Sequence, residues 1–179
     1  MPTDQEFRAY NQGVIAEFRA KGGAVSQPPF PILLLTTTGA RTGRRTTTPL
    51  AMGVDGGRVF VVASKAGAPT PPAWFHDLRA DPAVTVELGG GTYDAVAVVA
   101  EGAERDRLYQ AIAARIPTFR EYERRTPRRF PVVVLEGVPA VSPDGGPLPV
   151  SRGRFSPSPL RGSDASSRPA AGGRRWGGP

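Results

Sequence analysis

The 179-residue chain has no cysteine and a single histidine, His76. Without thiols there is no disulfide, no thiolate nucleophile and no sulfur ligand for a metal. One imidazole alone leaves a conventional zinc site close to excluded, so no metal is expected. The chain also lacks any apolar run near the roughly 20 residues that a spanning helix needs. Its first residues, MPTDQEFRAYNQG, carry no secretory apolar core. These absences predict a cytoplasmic protein. A peripheral membrane contact stays open, because the first predicted helix carries Phe7 and Phe18 beside Arg8, Arg19 and Lys21. Packing on the body of the protein is the stronger expectation, since Asp4, Glu6 and Glu17 share its polar face.

What is present divides into two unlike regions. From Pro139 onward the sequence is dominated by Pro, Gly and Ser, with Arg152, Arg154, Arg161, Arg168, Arg174 and Arg175 set against Asp144 and Asp164. Such a segment cannot bury enough apolar surface to order itself, so residues 139–179 are expected to form a disordered basic tail. Residues 1–138 are long enough for one domain with a real core. The formal net charge is +7, and more than half of it falls in the tail. A basic tail can hold nucleic acid weakly, but charges this sparse fit a solubilising extension better.

Within residues 1–138, Phe7, Tyr10, Val14 and Phe18 recur at intervals of three and four, predicting an amphipathic helix from Asp4 to Lys21 with Asp4 as its cap. Strands are predicted at 30–38, 46–54, 58–64, 83–88, 92–100 and 130–138, and helices at 72–80 and 103–115. Asp55-Gly56-Gly57 and Gly89-Gly90-Gly91 are hairpin signals. Tight hairpins without regular strand–helix alternation indicate a mainly β, α+β domain, a small antiparallel barrel with peripheral helices.

Three stretches could carry chemistry. GARTGRRTTTPL (39–50) sets Arg41, Arg44 and Arg45 among glycines and threonines between two strands. Backbone N–H groups, forked guanidinium donors and hydroxyls on one turn suit a phosphate. It is neither a Walker loop nor a Rossmann fingerprint, and a solvated hairpin would look similar. ASKAGAPTPPAWF (63–75) follows a strand with small residues, so a flat ring could approach its main chain, with Lys65 adding charge. An ordinary surface loop reads the same way. In IPTFREYERRTPRRFPVVV (116–134), Phe119 and Tyr122 share one side of a helical turn, as an aromatic pocket wall or as a core cap. The neighbouring Arg124, Arg125, Arg128 and Arg129 would suit nucleic acid, yet no RRM, KH or helix-turn-helix signature accompanies them. A Trp such as Trp74 on a short helix is usually core, and His76 lies near no nucleophile motif.

The order of EFRAYNQGVIAEFRAKGG, LLLTTTGARTGRRTTTPL, VFVVASKAGAPTPPAWFHDLRADP and FREYERRTPRRFPVVVL resembles the deazaflavin-dependent nitroreductase family, over roughly residues 4–138. The resemblance implies a split β-barrel, FMN-binding-like fold. It implies an oxidoreductase that transfers hydride from reduced coenzyme F420, an 8-hydroxy-5-deazaflavin, to a quinone, an enone or a nitroaromatic. By resemblance, Arg41, Thr42, Gly43 and Arg45 contact the coenzyme's phosphate and acidic tail. Pro49 and Ala63, Ser64, Lys65, Ala66, Gly67 and Ala68 line the ring, with Trp74 nearby. Ile116, Phe119 and Tyr122 fall at the substrate pocket, with Tyr122 and Ser64 as donors to the acceptor's oxygen, and a homodimer is a natural assembly. Asp77 stands where Asn is common. Ile116, Phe119 and Ala51 replace hydroxyl-bearing positions of nitroimidazole-reducing relatives, which weakens that activity specifically. The alternatives are an FMN-binding relative, a non-catalytic carrier of the coenzyme, or a basic nucleic-acid-associated barrel.

Overall fold

The structure is a computed structural model and describes residues 3–146. The tail from 147 onward lies outside the described residues. Helix α1 (Asp4–Ala20) begins at a capping box. The Thr3 hydroxyl accepts from the Glu6 N–H at 3.2 Å, and the Glu6 carboxylate accepts from the Thr3 N–H at 2.7 Å. The cap is therefore Thr3 and not Asp4, because only Thr3 has a reciprocating Glu three residues on. At the other end the Gly23 N–H closes onto the Phe18 carbonyl at 2.8 Å.

Six strands follow: β1 (Ile32–Thr38), β2 (Arg45–Asp55), β3 (Arg58–Val62), β4 (Ala83–Leu88), β5 (Gly91–Ala100) and β6 (Val132–Glu136). They close into an antiparallel barrel in the order β1-β2-β3-β6-β5-β4. Gly56 and Gly57 make the two-residue turn between β2 and β3 with φ of 56° and 81°, both in the region that only glycine enters freely. Helices α2 (Ala73–Ala80), α3 (Gly102–Arg115) and α4 (Thr118–Arg125) lie around the strands. This is the split-barrel architecture expected. The predicted third strand stops two residues early, at Val62, because the chain turns sharply there.

Burial explains the sequence patterns. Leu33, Leu35, Val59, Val61, Val86 and Val133 fill the barrel interior, and α2 adds Trp74, Phe75 and Leu78 to the same cluster. Outside the barrel, Phe60, Val62, Val132 and Val134 pack against Leu108, Tyr109 and Ile112 of α3 and Phe119 of α4. Val14 and Phe18 of α1 cover Ile32 and Leu34 of β1. Strands backed by a helix bury both faces and read as unbroken apolar runs. β5 has no such backing, so its outward Thr92, Asp94, Val96 and Val98 are exposed and it alternates. Each large buried aliphatic contributes about 1.5–3 kcal/mol of burial. Only the second half of the α1 stripe packs in this way, since Phe7 and Tyr10 are about half exposed.

The expected break at Pro139 comes too early. The Val141 N–H reaches the Gly57 carbonyl at 3.3 Å and its side chain joins the interior cluster. Asp144 pairs with Arg115 at 2.8 Å. A lone valine among Pro, Gly and Ser gave no periodic signal of this.

Candidate active site

The site begins with a mismatch in strand length. β2 pairs with β1 from Arg45 to Ala51, but with β3 only from Met52 to Asp55. Along Arg45–Ala51 one edge of β2 therefore has no strand beside it, and the chain that would continue β3 turns off as the loop 63–68. Pro49 sits on that stretch, where a residue without an N–H is tolerated.

At one end of the edge is the loop 39–44. It is closed by the Gly39 N–H on the Arg44 carbonyl (2.8 Å) and the Gly43 N–H on the Gly39 carbonyl (2.9 Å). The Thr42 hydroxyl accepts from the Arg44 N–H (3.2 Å), and Asp77 of α2 accepts from the Ala40 N–H (3.0 Å). Asp77 thus ties the loop to α2 with the same acceptor geometry an Asn carbonyl would supply. The Arg45 guanidinium donates to the Thr38 hydroxyl at 3.3 Å and the Thr85 hydroxyl at 2.5 Å, which lays it across the strands. Arg41 and Arg44 are exposed and make no ion pair among the described residues.

At the other end, where β3 stops, is the loop 63–68, a single 3₁₀ turn over Lys65–Gly67. Its Gly67 N–H donates to Ser64 O and its Ala68 N–H to Lys65 O, both at 3.0 Å. Lys65 and Ala66 hold φ of 46° and 51°, left-handed values that cost a residue with a Cβ on the order of 1 kcal/mol or more. Gly67, at φ 80°, runs against α4: a Cβ there would lie 2.8 Å from the Tyr122 carbonyl oxygen. The turn is held from behind by Arg128, whose guanidinium donates to the carbonyls of Ala63 (3.1 Å), Ser64 (2.9 Å) and Ala68 (3.1 Å). Sequence reasoning missed this role. Arg128 reads there as one member of a basic cluster, and only the fold brings it to three carbonyls about sixty residues away.

The remaining expected residues are placed less uniformly. Tyr122 is half-buried, with its ring edge-on to Phe119 (6.0 Å between centroids) and Arg125 above it (5.6 Å). Phe119 is buried between Tyr109 and Tyr122, and the Tyr109 hydroxyl donates to its carbonyl at 3.1 Å. Ile116 lines a cleft of about 320 Å³ with Pro29, Pro31, Met52, Arg115 and Asp144. Of the three expected pocket residues only Ile116 lines that cleft; Phe119, Tyr122 and the two loops do not. Ser64 is buried at the start of the turn, and Trp74 belongs to the barrel core. His76 is exposed beside Phe75 and meets neither loop residue by hydrogen bond. The basic cluster does not form one surface: Arg128 is turned inward, Arg129 pairs with Asp106, and Arg125 lies over Tyr122. Among the described residues, no group of three or more acidic or imidazole side chains could hold a metal, and no helix is long and apolar enough to cross a membrane.

A family model described as F420H(2)-dependent quinone reductase matches residues 11–137. The chain belongs to this quinone reductase family. It is 39% identical over 108 residues to the F420H(2)-dependent quinone reductase of Mycobacterium tuberculosis H37Rv, covering 59% of this chain and 72% of that one. Among solved structures, an F420-H2 dependent reductase matches with 36% identity and a TM-score of 0.55, over 59% of this chain and 94% of its own. A second, described as a domain-swapped dimer, matches with 31% identity and a TM-score of 0.57, over 75% of this chain and the whole of its own. The quinone reductase family is one of oxidoreductases, and its coenzyme is reduced F420. The residues present fit such a group. Arg41 and Arg44 offer cationic donors with no carboxylate partner among the described residues, and the loop 63–68 keeps small side chains beside an open strand edge.

Proposed function

We propose that this quinone reductase family member transfers a hydride to a quinone in a site built on the open edge of β2, between the loops 39–44 and 63–68. The observation that carries the reading is that two donor-rich loops flank one unpaired edge, with Arg41 and Arg44 exposed and unpaired among the described residues. When bound, reduced F420 supplies the hydride from C5 of its deazaflavin, and the chemistry belongs to the coenzyme. The protein's part is position, charge and exclusion of water.

Arg41, Thr42, Gly43 and Arg45 take the phosphate and acidic tail, Arg44 adding charge, while Pro49, Ala63, Ser64, Lys65, Ala66, Gly67 and Ala68 bound the ring, with Trp74 supporting from the core. Tyr122, with Ser64, faces the acceptor. A quinone that gains a hydride still needs one proton on its oxygen. A hydroxyl of Tyr122 or Ser64 gives that proton and regains one from solvent. Phe119 backs the Tyr122 ring edge-on, and Ile116 packs in the same cluster behind them. The same reading sets the chain in the cytoplasm, with Phe7 and Tyr10 suited to a peripheral contact with the membrane in which quinones dissolve. The exposed Val96 and Val98 of β5 offer a face for pairing two chains, in line with the dimeric structural neighbour.

The test is a fluorescence titration with oxidised F420 beside FMN, followed by quinone reduction with the reduced coenzyme. Saturable binding of the deazaflavin, with turnover on a quinone, supports the reading. Preference for FMN would keep the barrel and change the chemistry, and failure to bind either would overturn the site.

A further inference from the structure

We propose that Arg128 is a positioning residue of the coenzyme site. By taking the carbonyls of Ala63, Ser64 and Ala68 on one side, it turns the N–H groups of Ser64 and Lys65 to the other, as paired donors to the electron-rich end of the deazaflavin ring. The proposal rests on the function proposed above and deepens it.

The geometry follows from the peptide group. In a trans peptide the C=O and N–H point in opposite directions. The Ala63 carbonyl and the Ser64 N–H belong to one peptide, and the Ser64 carbonyl and the Lys65 N–H to the next. Both carbonyls point at Arg128, at 3.1 and 2.9 Å, so both N–H groups point away from it. Among the described residues, neither N–H donates to a backbone or side-chain acceptor, although the flanking Ala63, Gly67 and Ala68 N–H groups all do. Ser64 is right-handed (φ −82°, ψ −33°) and Lys65 left-handed (φ 46°). That succession makes successive N–H groups converge on one point, a backbone nest for an anion or a polarised oxygen.

The two hydrogen bonds within the turn do not offset its backbone strain. Lys65 and Ala66 are left-handed without being glycine, so outside contacts must hold them. Gly67 is wedged on the α4 backbone at Tyr122, and Arg128 bonds the turn at three carbonyls. Arg128 is itself fixed by the Phe130 ring, 4.9 Å away, and makes no ion pair among the described residues. Its partial burial lowers its pKa by desolvation, yet a guanidinium stays charged in proteins. A cation bonded to the carbonyl end of two peptides strengthens their N–H ends as donors.

The experiment uses the full chain, oxidised F420 as probe, and three variants: Arg128→Met, Arg128→Lys and Ser64→Pro. Proline removes the Ser64 N–H at a φ close to the one it adopts. Circular dichroism reports folding, fluorescence gives Kd, and the visible absorbance of the bound coenzyme reports on the donors to its ring. The expected result is a bound spectrum shifted from free coenzyme in the wild type. In Arg128→Met and Ser64→Pro, Kd rises about tenfold, the equivalent of one charge-assisted hydrogen bond, and the spectrum returns toward that of free coenzyme. Arg128→Lys falls between, having charge without the fork. Folded variants that keep both Kd and spectrum overturn the proposal. If Arg128→Met does not fold, Arg128→Lys and Ser64→Pro decide the matter by the same two readouts. A wild type that fails to bind F420 overturns the proposed function itself, whereas binding that is unaltered in the variants overturns this inference alone.

Discussion

The loop 39–45 carries Arg41, Arg44 and Arg45, and the segment 124–129 carries Arg124, Arg125, Arg128 and Arg129. Composition alone would assign both to anion binding. In the fold they diverge, because the second segment has carbonyls, a carboxylate and aromatic rings within reach and the first has almost none. Arg128 binds three main-chain carbonyls, Arg129 pairs with Asp106, and Arg125 rests on Tyr122. Close by, Arg105 is buried, with its guanidinium donating to the Phe130 carbonyl at 2.9 and 2.5 Å and lying 4.7 Å from the Tyr109 ring. In the first segment Arg45 meets only the hydroxyls of Thr38 and Thr85. The lesson is that an arginine's availability to a ligand is set by the acceptors packed around it and not by how many arginines adjoin it.

The contrast breaks most visibly at the open loop. Replacing Arg41 and Arg44 together by Ala should weaken F420 binding about a hundredfold, two charge-assisted bonds at roughly 1.5 kcal/mol each, with the thermal midpoint unchanged. A drop in the midpoint, or intact binding, would erase the distinction. In the closed region the effect should fall on stability instead. Arg105→Met leaves the buried Phe130 carbonyl without its donors and should cost about 2 kcal/mol, read by denaturant unfolding. Salt sharpens the same comparison: going from low to roughly 0.5 M salt should weaken F420 binding several-fold in the wild type, since exposed charges are screened. The Arg41/Arg44 double variant should lose most of that dependence.

The smallest effect lies at Tyr109, whose pKa is pushed up to about 12, first by burial and next by the nearby Glu123 carboxylate. The folded state keeps this proton to about pH 12, while the unfolded chain releases it near pH 10. The unfolded state therefore binds fewer protons between those values, so the contribution is whole below pH 10 and lost as pH rises towards 12. Tyr109→Phe should cost about 1 kcal/mol near neutrality through the lost bond to Phe119, and its unfolding curves should fall less steeply across that alkaline window.

By itself the sequence determined the six strands and three of the four helices, α4 excepted. Alternation and unbroken apolar runs, interrupted by Gly56-Gly57 and Gly89-Gly90, mark all six strands, because a strand's period and the backbone demands of a tight turn are local properties. The order of motifs from Glu6 to Leu135 likewise carries the family. Tertiary structure alone decided how the candidate site is arranged. That β2 outruns β3 is a matter of register, and register depends on where a partner strand ends. Arg128 bonds residues some sixty positions away, Asp77 anchors Ala40, and Phe119 and Ile116 turn into packing that Tyr122 only borders. These are long-range pairings of groups that look alike in sequence, and which of them meets a carbonyl, a carboxylate or open solvent is settled only when the barrel closes.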